Sequence, residues 1–105
     1  MAVRFSETKE FTKAQLSSLY ASVGHPDAHD PAKLKAAAAG SARVISAWRG
    51  KQLVGLIRAL DDGVMLAYVC EMIVDPAQEN QQIAAGLQQR MRSAYSDAFR
   101  VFGLP

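Results

Sequence analysis

Three stretches of the sequence carry residue types that do chemistry at useful spacings. Glu71 is a lone carboxylate in the otherwise apolar run 64–74. Burial among such neighbours raises a carboxyl pKa toward neutrality, the range a general base needs. The plainer alternative is that Glu71 faces solvent or pairs with an arginine. Directly after it, Val74-Asp75-Pro76 closes the run, and polar residues 78–82 lead into a helical pattern that starts at Ile83. A helix start leaves several backbone N–H groups unpaired and carries about half a positive charge, so a diphosphate fits there without a basic side chain. The third stretch is the loop of His25, Asp27, His29 and Asp30. Two histidines four apart suit a metal, but a loop rich in Pro and Asp explains them equally, and no second ligand cluster exists elsewhere in the sequence. Cys70 reads as a small buried residue and not as a nucleophile, since Val69 and Met72 beside it supply no base.

These groups need elements to hold them. Residues 11–24 predict a helix: Thr12 and Gln15 form a capping box, Phe11 and Leu16 a hydrophobic staple, and Leu16, Leu19, Tyr20 and Val23 one apolar stripe that Gly24 ends. A second, short surface helix runs from the Asp30-Pro31 start to Gly40, with high helix propensity in the alanines 36–39 but little to bury. Strands are predicted at 44–48, 53–60 and 64–74, joined by turns at 49–52 and at Asp61-Asp62-Gly63, where Asp-Gly supplies positive φ. The result is an antiparallel meander. Its last strand is apolar on both faces, which implies helices packed on the sheet. Pro76 ends that strand. Ile83, Leu87, Met91, Ala94 and Tyr95 then mark an amphipathic helix, and 99–104 reads as a final strand in preference to a helical extension. Trp48 and Tyr68 read as core or sheet-face residues.

Composition narrows the class. With 105 residues, half of them hydrophobic, about a fifth charged and a net charge of +2, the chain suits a single globular domain over 1–105. Its cations are scattered and not interleaved with aromatics, so no nucleic-acid partner is expected. The apolar runs are too short to span a bilayer, the first ten residues lack a secretory signal, and the single cysteine rules out an intrachain disulfide. A cytoplasmic protein with no membrane partner is expected.

The order helix, helix, three-strand meander, loop, helix resembles the GNAT-family N-acetyltransferases, most strongly over 44–87. Leu53-Val54-Gly55-Leu56-Ile57-Arg58 followed by Asp62-Gly63 looks like the second and third strands of small bacterial members, and Ser22-Val23-Gly24 fits the end of their first helix. Val74-Asp75-Pro76, then Glu79, Gln82, Ile83, Ala84 and Leu87, falls where the family's acetyl-CoA motif Val-x-Pro-x-x-Gln/Arg-x-x-Gly-x-Gly/Ala-x-x-Leu would lie. The resemblance implies an α/β (α+β) fold: two N-terminal helices, a meander sheet, a strand–loop–helix cofactor unit and an incomplete C-terminal half.

By position it implies that Met72 and Val74 contact the pantetheine arm of acetyl-CoA. It places Glu79, Asn80, Gln81, Gln82, Ile83 and Ala84 at the pyrophosphate. In the family an amine attacks the thioester directly while a carboxylate or water chain takes its proton and a central-strand N–H steadies the oxyanion, which makes Glu71 the base and a small-molecule or peptide amine the substrate. Two departures follow from the motif. If position 82 needs positive φ, Gln82 in place of glycine costs about 1–2 kcal/mol. Glu79 in place of Gln or Arg adds about 1 kcal/mol of repulsion at ~4 Å from a phosphate in water. The sequence stops near the family's fifth strand, so the resemblance implies either an acceptor side built with a second subunit or no complete site. The apolar tail of Phe99, Val101, Phe102 and Leu104 offers an edge for a homodimer. The alternative is a non-catalytic dimeric binding module of the same fold. Tyr95 does not match the tyrosine acid of the family, and the His25–His29 loop borders the acceptor side.

Overall fold

The structure, a computed structural model, describes residues 2–78 and 80–104, and for Asn80 its backbone alone. Helix α1 (Lys13–Ser22) starts as the capping box requires. The Thr12 hydroxyl accepts from the Gln15 N–H at 3.1 Å, and the Gln15 side-chain oxygen accepts from the Thr12 N–H at 2.9 Å. Phe11 and Leu16 are both buried in the same cluster, as a staple demands. Helix α2 (Pro31–Gly40) is capped by the Asp30 carboxylate and buries Leu34 and Ala38. Between the helices, Pro26–His29 forms a 3-10 turn that periodicity did not reveal.

Five strands form one sheet in sequence order: β1 (Arg4–Ser6), β2 (Arg43–Arg49), β3 (Gln52–Asp61), β4 (Leu66–Val74) and β5 (Arg100–Phe102). The first four run antiparallel, and β5 joins β4 in parallel, as a strand returning from a crossover helix does. That helix is α3 (Asn80–Ser93). Strand β1 escaped the sequence reading because three residues with one apolar member carry no alternation. The β3–β4 loop is longer than the expected turn: one Asp62 carboxylate oxygen accepts from the N–H groups of Val64, Met65 and Leu66, which delays the strand to Leu66.

Helices cover both faces. On one, α1 and α2 pack Leu16, Leu19, Tyr20 and Leu34 against Val44, Trp48, Leu56 and Ile73. On the other, α3 packs Ile83, Leu87 and Met91 against Ile45, Val54, Ile57 and Val69. The expectation that the third strand is buried on both faces does not hold: only Ala67, Val69 and Ile73 are buried, and Cys70, Glu71, Met72 and Val74 are partly exposed. Leu66 and Tyr68 are exposed, because α1 and α2 lie over β2, β3 and the Ile73 end of β4. The tail also differs from a free apolar edge: Phe99, Val101 and Leu104 pack on the α3-side core, and only Phe102 stands exposed. Among the described residues no helix is long and apolar enough to cross a membrane.

Candidate functional site

Two irregularities in β4 build the site. The first is a bulge. Arg58 stands opposite Glu71 and Ala59 opposite Val69, which leaves Cys70 as the extra residue. Its thiol, half-buried, points at the Arg58 carbonyl at 3.4 Å. The extra residue resets the alternation of side chains. Val69 and Met72 both belong to the α3 face, so Tyr68 and Glu71, three apart, share the opposite one.

The second irregularity is the parting of β4 from β5. The two strands pair only at Leu66–Tyr68. Gly103 then crosses so close to β4 that a Cβ on it would lie 2.3 Å from the Val69 carbonyl oxygen, and its φ of +82° adds to the need for glycine. Beyond that crossing, no strand among the described residues pairs with this edge of β4 as far as Val74. The backbone groups along the edge are therefore available to a ligand. Helix α3 starts beside this edge because Gly55 lets it sit low on the sheet. A Cβ at Gly55 would come within 2.9 Å of Ile83 and 3.1 Å of Leu87.

Two open grooves run along the free edge and meet at Met72. One, of about 330 Å³, is lined by Tyr68, Val69, Cys70, Glu71, Met72 and Gly103. The other, of about 420 Å³, is lined by Val23, Met72, Ile73, Val74, Gln81 and Ala84. Larger depressions of about 680 and 630 Å³ lie beside β1, away from the bulge and the free edge. The structure thus brings together Met72, Val74, Gln81 and Ala84. Gln82 lines a depression on the β1 side, and Ile83 is a core residue. Glu79 lies outside the described residues, and Asn80 is placed only as the start of α3. Gln82 is helical, and no non-glycine residue among those described has a positive φ. The strain expected at position 82 is therefore absent: the helix begins two residues earlier and takes that position into its first turn.

Glu71 sits in a polar cluster under α1. Its Oε1 accepts from the Tyr20 hydroxyl at 2.5 Å and from Arg58 Nε at 2.9 Å, while Oε2 faces His25 Nε2 at 3.5 Å. Arg58 also donates to the Ser41 hydroxyl, which in turn donates to the Ala37 carbonyl. The tautomer of His25 follows from its other nitrogen. Nδ1 accepts from the Asp27 N–H at 3.0 Å, so a neutral His25 carries its proton on Nε2, toward Glu71. Burial, and then the bond to Glu71, push the Tyr20 hydroxyl well above the usual tyrosine range.

The arginine named as the plainer partner of Glu71 is Arg58; sequence reasoning missed the other partners. Tyr20 read only as a core residue, and His25 only as part of a metal-like loop. A turn at 61–63 would set position 58 across from 66; the longer loop moves the centre to about 64, and only then does Arg58 stand opposite Glu71. The loop residues themselves are committed locally. His25 caps the 3-10 turn, Asp27 pairs with Lys33 at 2.9 Å, and Asp30 caps α2. Among the described residues no group of three or more His, Cys, Asp and Glu stands close enough to hold a metal.

Known structures share this fold. A GNAT-family acetyltransferase from Streptococcus pneumoniae TIGR4 superposes with a TM-score of 0.79 at 25% identity, covering 96% of this chain and 74% of that one. An acetyltransferase described as putative, from Deinococcus radiodurans R1, gives 0.80 at 23% identity over 94% and 69%. An aminoglycoside 6'-N-acetyltransferase complexed with coenzyme A gives 0.69 at 18% identity over 87% and 54%. The comparison with curated proteins gives no match. Residues 7–101 match the family described as the acetyltransferase (GNAT) domain, nearly the whole chain. With that match and the parted β4–β5 edge beside α3, the chain belongs to the GNAT acetyltransferase family.

Proposed function

We propose that this domain transfers an acetyl group from acetyl-CoA to a small-molecule or peptide amine in the cytoplasm, with Glu71 receiving the amine proton. The observation that carries the reading is the free edge of β4 between Gly103 and Val74, open beside the first turn of α3. The residues present fit the cosubstrate. A narrow apolar arm suits the groove of Met72, Val74, Gln81 and Ala84, with backbone donors and acceptors along its floor. The first-turn amides of α3 suit the diphosphate, and no acidic residue occupies that turn.

Acetyl-CoA would supply a thioester carbonyl: the amine nitrogen bonds to it as the C–S bond breaks, and the proton that Glu71 takes from the amine is balanced by one delivered to the released thiolate. The protein's task is to orient the amine and accept its proton. Glu71 Oε2 is the less engaged end for that step, because Tyr20 and Arg58 both bind Oε1 and fix the plane of the carboxylate, while His25 Nε2 stands 3.5 Å from Oε2. His25 Nε2 faces the same oxygen and sets its direction.

The same engagement of Glu71 favours a second reading, a non-catalytic module that keeps the fold. Calorimetric titration with acetyl-CoA separates the two. Saturable binding with a Kd on the order of micromolar, with a matching rise in melting temperature, is expected. Absence of heat and of any thermal shift would defeat the acetyl-transfer reading.

A further inference from the structure

The acceptor side of the bulge has a composition of its own. Leu60, Leu66, Tyr68 and Phe102 are exposed at 48%, 43%, 54% and 53%, a concentration of large apolar surface that a folded domain seldom leaves without a use. They form one patch. Leu60 pairs across to Tyr68, Tyr68 to Phe102, and Leu66 lies two residues before Tyr68 on the same face. The bulge puts Glu71 on that face as well, and Tyr68 and Glu71 line one groove.

Charge on the same surface is sparse and already engaged. The carboxylates carried by β3, β4 and their loop are Asp61, Asp62 and Glu71. Asp61 accepts from the Tyr95 hydroxyl at 2.6 Å and from the Gly63 N–H at 2.9 Å. Asp62 holds the loop amides, and Glu71 gives Oε1 to Tyr20 and Arg58 while Oε2 faces His25 Nε2 at 3.5 Å, leaving room on that oxygen for one more donor. Strand β5 adds Arg100, a cation, opposite Leu66. A substrate with several ammonium groups finds no set of carboxylates here. A single ammonium on an apolar body finds both halves of its chemistry.

We propose that the acceptor is a primary amine on a flat apolar body, of the arylalkylamine class, with the body on Tyr68, Leu60 and Phe102 and the nitrogen at Glu71 Oε2. The inference rests on the acetyl-transfer reading for its chemistry and on the patch for its selectivity. Tyr68 and Glu71 stand opposite Leu60 and Arg58, two residues apart on β3, which is ~7 Å along the strand. In a phenethylamine the nitrogen lies about 5 Å from the ring centre, and a hydrogen bond of ~2.8 Å to the carboxylate carries the contact across that distance. Tyr68 is then a specificity residue and not a catalytic one.

Phenethylamine, spermidine and kanamycin serve as probes, each titrated into the full chain with amide NMR shifts as the readout. Phenethylamine is expected to shift residues 66–72 saturably, at least tenfold more tightly than the two polyamines. Tyr68→Ala should remove the shifts and Tyr68→Phe retain them. This binding is read without acetyl-CoA, so it decides the acceptor class even if the cosubstrate titration fails. Where turnover is seen, Tyr68→Ala should raise KM for phenethylamine about tenfold at unchanged kcat. Equal or tighter binding of a polyamine overturns the proposal. So does a light-scattering mass of a dimer that Phe102→Asp converts to a monomer, which assigns the patch to a second copy of the chain.

Discussion

Glu71 shows how one residue's neighbours decide what it can do. Two donors on Oε1 hold the carboxylate in place, and the bulge at Cys70 turns it toward the groove. Glu71→Gln keeps the shape and removes the proton acceptor. The expected result is a kcat lower by about 10²–10⁴ with acetyl-CoA affinity within about twofold, read by thioester loss and calorimetry. Unchanged turnover would remove Glu71 from the mechanism. The tyrosines make a separate prediction about pH. Burial, then the Glu71 bond, raise the Tyr20 hydroxyl above its ordinary 10.0, and burial, then the Asp61 bond, push Tyr95 up to about 12. Above pH 10 the unfolded chain has lost these protons and the folded chain keeps them, so their stabilisation is complete below pH 10 and falls as pH rises toward about 12. Denaturation midpoints measured from pH 9 to 12 should fall less steeply in Tyr20→Phe and Tyr95→Phe than in the parent. Parallel slopes would mean that these hydroxyls do not carry the alkaline loss.

At the scale of elements, the site depends on how low α3 sits. Gly55→Ala would place a methyl within 2.9 Å of Ile83 Cγ2, forcing the first turns of α3 away from the sheet. Overpacking of this kind costs about 1–3 kcal/mol. Because the displaced turn adjoins the Met72–Gln81 groove, acetyl-CoA binding should weaken as well. A loss of stability with unchanged affinity would show that the placement of α3 does not set the cosubstrate site. Much at this scale was legible in the sequence. The Thr12–Gln15 box, the Asp30-Pro31 start and the Ile83–Leu87–Met91 stripe are local signals, and each produced its element, while the Asp-Gly turn gave Gly63 its positive φ but in a longer loop. What escaped depends on contacts far apart in sequence. Strand β1 forms only because the edge of β2 is there to pair with it, and the bulge is a mismatch between two strands that neither shows alone. The Tyr20–Glu71–Arg58 cluster joins three elements, 51 positions apart at its widest bond. The motif around position 82 was legible as a helix start, but its register was not, so a strain was expected where the backbone is simply helical.

For the whole molecule, one sheet between two helical layers makes a definite claim about cooperativity. The expectation of one domain over the chain requires that damage on either face be felt on both, since every strand from β2 to β4 contributes to both clusters. Trp48, the only tryptophan, reports one face: it is buried under α1 and stacks on Phe11 with ring centroids 5.9 Å apart. Leu87 lies wholly buried under α3 on the other face. Leu87→Ala removes no atom near the indole and should still cost about 2–5 kcal/mol. Against the total of about 5–15 kcal/mol usual for a domain, that is a large fraction. If the chain folds as one unit, urea titrations followed by Trp48 fluorescence and by far-ultraviolet circular dichroism shift together by the same amount. A Trp48 transition that stays at its original midpoint, while the dichroism splits into two steps, would mean that the α3 layer melts by itself. The groove proposed for the cosubstrate lies against that layer, so acetyl-CoA would then be expected to raise the first step and leave the second unchanged.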